Sequence, residues 1–380
     1  MDLTLTDEQK LIGEAANSFI ADQYSFEARR AIVASDAGFS REIWADFASL
    51  GWLGLAIREE FGGSGADAVT LGILMEALGR GLVVEPYLAT AVVAAKLIDG
   101  LGSKDQRKAL LEVIAEGKSI IAFAHVEDAN VPLPRDIETM ACSDGDQWRI
   151  SGQKCLVFSA PWADTLLVTA RASDDPHDRS SIRVFVVSAS ASGIRTSPYL
   201  LLDGSRAANI AFDNAPATLL GRNENAAGEI DAVSDLAIAA LCFEAIGCMQ
   251  ALLDDTIAYT KTRIQFGKPI AANQVLRHRM ASMAVQLEEA RASALRAALM
   301  ATDAPERRAR AASGAKLKVG RAGRFISEQA VQLHGAMGVT DELNVGAYFK
   351  RLMAIETMFG SPDMHLRNHA RAWQGAKRTR

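Results

Sequence analysis

An arginine, an aromatic and a carboxamide fall together at Arg263, Phe266 and Gln274, in the run TRIQFGKPIAANQ that follows a long helical pattern. Arginine suits a phosphate, the aromatic suits a flat ring, and the turn at Gly267 presents both. Further on, Gln332 precedes a small-residue turn made by Gly335, Ala336 and Gly338. With no Cβ in the way, backbone N–H groups at such a turn can approach an anionic or planar ligand closely. An aromatic-basic segment (Tyr348, Phe349, Lys350, Arg351) and a second glycine turn at Gly360 complete the stretch 332–360. Each piece also has a plain structural reading, as an arginine closing one helix and a glycine C-cap closing another. The remainder of the chain has to choose between nucleotide binding and capping.

The elements that would position these groups follow from composition and periodicity. At 380 residues and 49% hydrophobic, with 10 prolines, the chain is long enough for two or three core-bearing units. A net charge of −5 gives no basic surplus for nucleic acid. Four cysteines, at 142, 155, 242 and 248, show no C-x-x-C pairing, which points to a reduced, cytoplasmic protein without a zinc site. The first twenty residues carry early acids and no basic run, so no signal peptide is expected. The apolar run 88–98 is short and contains Lys96, so it reads as a buried helix and not as a membrane span.

Thr6 and Gln9 form a capping-box pattern ahead of an apolar helical repeat from Leu11 to Ile20. Further helices are expected near 40–50, 68–82, 86–100 and 104–116, which makes residues 1–117 an α-helical domain. Between 118 and 226 the runs SIIAFAHVE, WRISGQKCLVFS, DTLLVTARA, SIRVFVVSA and ANIAFDNA are short and β-rich, as in a small antiparallel β-domain. From 227 to 380 the helical period returns, with breaks near 267–270, 302–305 and 335–338; the segment 310–324 reads as a basic helix face. The fold class is therefore α+β in the order helices, strands, helices.

The runs R-x-Q-F-G-x-P-I…Q and Q-x-H-G-A-x-G, in this order and over this architecture, resemble the carboxy-terminal signatures of the acyl-CoA dehydrogenase family. The resemblance covers essentially the whole chain. It implies that family's fold, with an N-terminal helical domain, a middle β-domain and a C-terminal four-helix bundle. Within the family, SFEARR (25–30), VVEPYLAT (83–90), KTRIQFGKPI and YFKRL resemble the small-subunit branch associated with pimeloyl-CoA-type and other bulky substrates. The implied activity is flavin-dependent α,β-desaturation of an acyl-CoA thioester, in the β-oxidation of a fatty acid, sterol or dicarboxylate. The implied partners are acyl-CoA, an electron-accepting flavoprotein and further dehydrogenase chains in a homo- or hetero-oligomeric dimer of dimers. Arg263, Gln265, Phe266 and Gln274 would contact FAD, with Gln332, Leu333, Gly335, Ala336 and Gly338 lining it from the second turn. In the family these groups reach the flavin of a neighbouring subunit. Asp235 would contact CoA; a charge favoured by the helix dipole explains it equally.

The chemistry requires a carboxylate to take the α-proton while the β-hydrogen leaves as hydride. At the family's base position this chain carries Phe359, and at the alternative position Ala237. Two other acids are candidates. Glu244 lies in the apolar stretch AALCFEAIGCM, where burial would raise its pKa, unless an arginine pairs with it. Glu356 lies three residues before Phe359. Gly247, near Glu244, would make room for a bulky acyl chain or would serve close helix packing. The β-domain departs as well. HVEDANVPLPRD (125–136) replaces the family's glycine-rich loop, and Leu156 and Phe158 replace the tryptophan and threonine that meet the flavin ring; Trp162 reads first as a core tryptophan and second as a substitute aromatic wall. What is retained reaches a neighbour's FAD, and what is missing holds the chain's own ring and its base. That pattern implies the non-catalytic subunit of a heteromeric enzyme. A self-sufficient homo-oligomer using Glu244, and a flavin-free acyl-CoA-binding protein, are the alternatives.

Overall fold

The computed structural model describes residues 4–144, 147–175, 177–221, 226–340 and 342–378. Its helices start where local chemistry starts them. The Thr6 hydroxyl accepts the Gln9 N–H at 3.2 Å and the Gln9 side chain accepts the Thr6 N–H at 3.1 Å, so the expected capping box opens α1 (Asp7–Gln23). α2 (Phe26–Ala34), α3 (Arg41–Ser49) and α4 (Ala68–Gly81) follow, and a second box, Ser103 with Gln106, opens α6 (Lys104–Ala115) after α5 (Ala95–Leu101). The helix expected at 86–100 is divided. After Pro86 the chain runs as a π-helix over Tyr87–Ala94 before becoming α5.

The strands are β1 (Ile121–Ala124), β2 (Met140–Asp144), β3 (Gln147–Phe158), β4 (Thr165–Arg171), β5 (Ile182–Ser188), β6 (Ile194–Leu200) and β7 (Arg206–Leu219). β4, β2, β3, β7 and β5 pair in a ring, closed by β5 against β4, with β1 beside β4 and β6 beside β7. The pairing is antiparallel except for β1 and β2 against β4, which are parallel. Ile150, Phe185, Ile210 and Val168 fill the interior. β3 carries a register shift between Lys154 and Val157, with Leu156 at φ +49°; a bulge of this kind re-aims side chains at a sheet margin.

The last part of the chain comprises α7 (Ala226–Thr262), a two-stranded hairpin of β8 (Ile264–Gln265) and β9 (Lys268–Pro269), α8 (Gln274–Leu299), α9 (Pro305–His334), α10 (Val345–Thr357) and α11 (Pro362–Arg378). The described residues thus contain one helix more than a four-helix bundle needs. α7 is long and apolar enough to cross a membrane, but 89% of its most apolar window is buried, as in a core helix.

Packing groups the chain into two compact units. One contains residues 1–31, 68–83 and 238–380, the other 32–67 and 84–237. The helices of the first 117 residues are therefore shared between the units.

In the helical unit α4 and α7 meet through glycines. A Cβ on Gly79 would stand 2.1 Å from the Glu244 carbonyl oxygen, and one on Gly247 1.9 Å from that of Glu76. Gly247 serves this approach, so it opens no space for an acyl chain. We expect Gly247→Ala to lower stability by about 1–3 kcal/mol, the usual cost of overpacking. Thermal unfolding checks this, and an unchanged Tm would show that the helices separate freely.

Candidate functional site

The hairpin after α7 displays the first group of expected contacts. Ile264 pairs with Pro269 and Gln265 with Lys268, leaving Phe266 and Gly267 as a two-residue turn with φ of +51° and +78°. Two positive φ values define the type I′ geometry that suits the twist of paired strands, and phenylalanine is strained there. Phe266 is 100% exposed and Ile264 61%. Arg263, Gln265 and Gln274 are exposed as well, so the arm presents a guanidinium, two carboxamides and an aromatic ring together.

The second group lies at the end of α9. Buried His334 donates its Nδ1–H to the Ala330 carbonyl at 2.8 Å and stacks on Tyr259 with ring centroids 4.4 Å apart. Tyr259 is on the last turn of α7, just before Arg263, so this stack ties the base of the arm to the Gln332 turn. Gln332, Gly335 and Ala336 are exposed, while Leu333 and Gly338 are buried. Gly335 has φ +61° and open space where a Cβ would project. Leu333 and Gly338 support the turn from within; a Cβ on Gly338 would stand 2.8 Å from the Val331 carbonyl oxygen.

Both candidate bases are engaged by arginines. Glu244 is buried, and its Oε1 accepts from Arg351 Nε at 2.6 Å, so the segment YFKRL supplies its partner. Glu356 is buried too, and Arg324 grips it through Nε at 3.0 Å and Nη2 at 2.6 Å. Phe359 sits in the turn beyond α10 at φ +54°, and its carbonyl accepts from His365 Nε2 at 2.9 Å. Cys248, Tyr348 and Arg29 all donate to carbonyls at the end of α4: the thiol to Gly79 at 3.2 Å, the hydroxyl to Arg80, and Nε to Leu82 at 2.8 Å. SFEARR and YFKRL therefore meet at one structural junction.

In the β-containing unit, Lys154 is fully buried and donates to Glu127 Oε1 at 2.8 Å, Thr169 Oγ1 at 3.0 Å and the His125 carbonyl at 3.3 Å. Glu127 also accepts the N–H groups of Glu138 and Thr139, at 2.7 and 2.9 Å, so it staples the two ends of the loop that replaces the glycine-rich one. Burial pushes Lys154 down to about 8 despite the Glu127 charge. Burial opposes ionisation of Glu127, but the Lys154 ammonium and the hydrogen bonds outweigh it and hold the carboxyl below its ordinary value. Burial, helped by the Lys154 charge, drives His125 down to about 3, so its imidazole is neutral. Glu127, Lys154 and Cys155 border a cleft of about 230 Å³ together with Arg195, Ser197 and Asn209.

Leu156 and Phe158 are half-buried. The Leu156 N–H donates to Tyr199 Oη at 3.2 Å. Trp162 donates its indole N–H to the Ala37 carbonyl at 2.5 Å and packs on Phe39 at 4.8 Å, which makes it part of the unit's own packing. Asp235 is half-buried on α7.

The exposed set Arg263, Gln265, Phe266, Gln274 and Gln332, with the open Gly335 turn, fits the donor and stacking needs of an adenine dinucleotide. In the β-containing unit, positions 156 and 158, where the resemblance expects groups that meet the flavin ring, carry Leu and Phe.

Helices, a closed β-sheet and further helices in this order form the architecture of a flavin-dependent dehydrogenase. The chain belongs to the acyl-CoA dehydrogenase family: residues 6–118 match its N-terminal domain, 124–215 its middle domain and 236–374 its C-terminal domain. It is an oxidoreductase acting on CH–CH bonds, and the cofactor of the family is FAD. It is 28% identical to a probable acyl-CoA dehydrogenase, YngJ, of Bacillus subtilis over 96% of this chain and 97% of that one. It is also 28% identical to the human mitochondrial short-chain specific acyl-CoA dehydrogenase, over 83% of this chain and 78% of that one. Among solved structures, a variant of the Tcur3481–Tcur3483 steroid ACAD superposes with a TM-score of 0.88 at 28% identity, covering 98% of this chain and 99% of that one.

Proposed function

We propose that this chain is the subunit of a heteromeric acyl-CoA dehydrogenase that completes the FAD site of a base-bearing partner chain. The observation that carries this reading is the state of the carboxylates. Position 359 is phenylalanine, and Glu244 and Glu356 are each buried and hydrogen-bonded to an arginine, so each carboxylate already has a structural partner. Arg263, Gln265, Phe266, Gln274 and Gln332 hold the nucleotide end of FAD, with Asp235 toward CoA. A strained, fully exposed aromatic tip supports insertion of the arm into another subunit. When bound, FAD supplies the two-electron acceptor, and electrons pass on to a flavoprotein. The likeness to a steroid ACAD with a two-part name supports both the unlike-chain assembly and a bulky acyl group.

Co-purification from the native host, with flavin stoichiometry measured on the complex, tests the proposal. The expected result is one flavin per unlike pair and an inactive chain when purified alone. A chain that is yellow alone, reduces an acceptor with acyl-CoA, and loses that activity on Glu244→Gln would overturn it.

A further inference from the structure

The segment 310–324 reads in sequence as a basic helix face, yet Lys316 is 1% exposed. It belongs to the apolar stripe of α9, with Ala312, Ala315, Val319 and Gly323. Its ammonium donates to the carbonyls of Glu356 at 3.0 Å and Gly360 at 3.2 Å. The intervening Phe359 carbonyl is taken by His365 Nε2, whose Nδ1 faces Ser313 Oγ at 3.2 Å. A carbonyl only accepts, so Nε2 carries the proton and the serine hydroxyl donates to Nδ1.

The last carbonyls of a helix lack intrahelical partners. Here α10 ends in a turn at φ +54° and +113°, and three of its inward carbonyls meet two side chains from α9 and α11. Gly360 is confined in the same place, since a Cβ there would stand 1.9 Å from Met364 Cε.

We propose that Lys316 and His365 are positioning residues that fix the 356–360 turn from behind, so that the backbone at position 359 is set by α9 and α11 independently of the side chain it carries. The clamp holds whichever subunit supplies the base. The groups facing it are Cys242 from α7, Glu356 from α10 with its Arg324, and Ser313 from α9. Burial pushes Lys316 down to about 8, and burial together with the Lys316 charge pushes His365 down to about 4, so a cation stands beside a neutral imidazole at neutral pH.

The test uses the full chain labelled at histidine. In the wild type the His365 ring is expected to be the neutral Nε2–H tautomer at pH 7 by nitrogen chemical shift. In Lys316→Met its titration midpoint is expected to rise by at least half a pH unit, about a threefold change in proton affinity. Hydrogen exchange in a peptide spanning 356–362 is expected to accelerate at least tenfold in Lys316→Met and in His365→Asn, and less than threefold in Phe359→Ala, with α7 peptides unchanged. A charged or Nδ1–H ring in the wild type overturns the clamp without recourse to any variant. So does a Phe359→Ala effect as large as that of Lys316→Met.

Discussion

Arg351→Met is expected to destabilise the helical unit by about 3–5 kcal/mol, because it strands the Glu244 carboxylate in a buried site. The two side chains are 15% and 7% exposed and joined at 2.6 Å, so solvent cannot replace the lost partner. The double variant Glu244→Met with Arg351→Met removes both charges and is expected to recover most of the loss, giving a coupling of several kcal/mol in a double-mutant cycle. Chemical denaturation of the four proteins measures it. The same experiment separates structure from chemistry. A catalytic base would lose turnover on Glu244→Gln and keep its stability, whereas the ion pair predicts a fall in stability. Additive effects of the single variants would remove the pair from the account.

Acid is expected to unfold the protein from two places. His365 in the helical unit and His125 in the β-containing unit have folded pKa values of about 4 and about 3, against an ordinary 6.5. Burial is the main cause in both. The unfolded chain therefore binds more protons than the folded one below pH 6.5, and stability falls as pH drops from there. The loss from His365 is complete near pH 4 and amounts to ~3 kcal/mol, and His125 adds to it down to about pH 3. Glu127, held below its ordinary value, contributes in the same direction once pH falls through the carboxylate range. Urea unfolding at pH 7, 5.5 and 4.5 should show this decline. A flat profile over that window would mean that neither imidazole is buried neutral.

Local signals made much of the fold legible. The Thr6–Gln9 box, the period of α4 and α6, and the alternating strands β3, β4 and β5 each carry their structure within a few residues. β2 is not legible because MACSD is short, and β6 because IRTSPYL contains a proline and lies largely exposed, so it lacks an apolar alternation. α2 has no apolar repeat to read, since its one buried residue is Arg29, whereas α3, of the same length, buries Trp44 and Phe47. Residue types single out the hairpin 263–269 and the Gln332 turn as candidate contacts, and both present exposed groups. The partner of Glu244 lies 107 residues away, and no spacing rule reaches that far. Lys316 is legible in the sequence: a lysine at helical spacing from Ala312, Val319 and Gly323 shares their apolar face, which marks it as buried and therefore hydrogen-bonded.

The α4–α7 crossing has a consequence for how this sequence can drift. Most helix contacts are made by side chains, so a loss on one helix can be matched by a gain on the other. Here the closest approaches run from backbone to backbone at Gly79 and Gly247, where a methyl group would overlap a carbonyl oxygen. No compensating change on the opposite helix can make room, because that helix has no side chain there to shorten. The apolar surface of α7 can be repacked through many neutral steps, whereas these two positions admit only one residue type for as long as the helices cross at this distance.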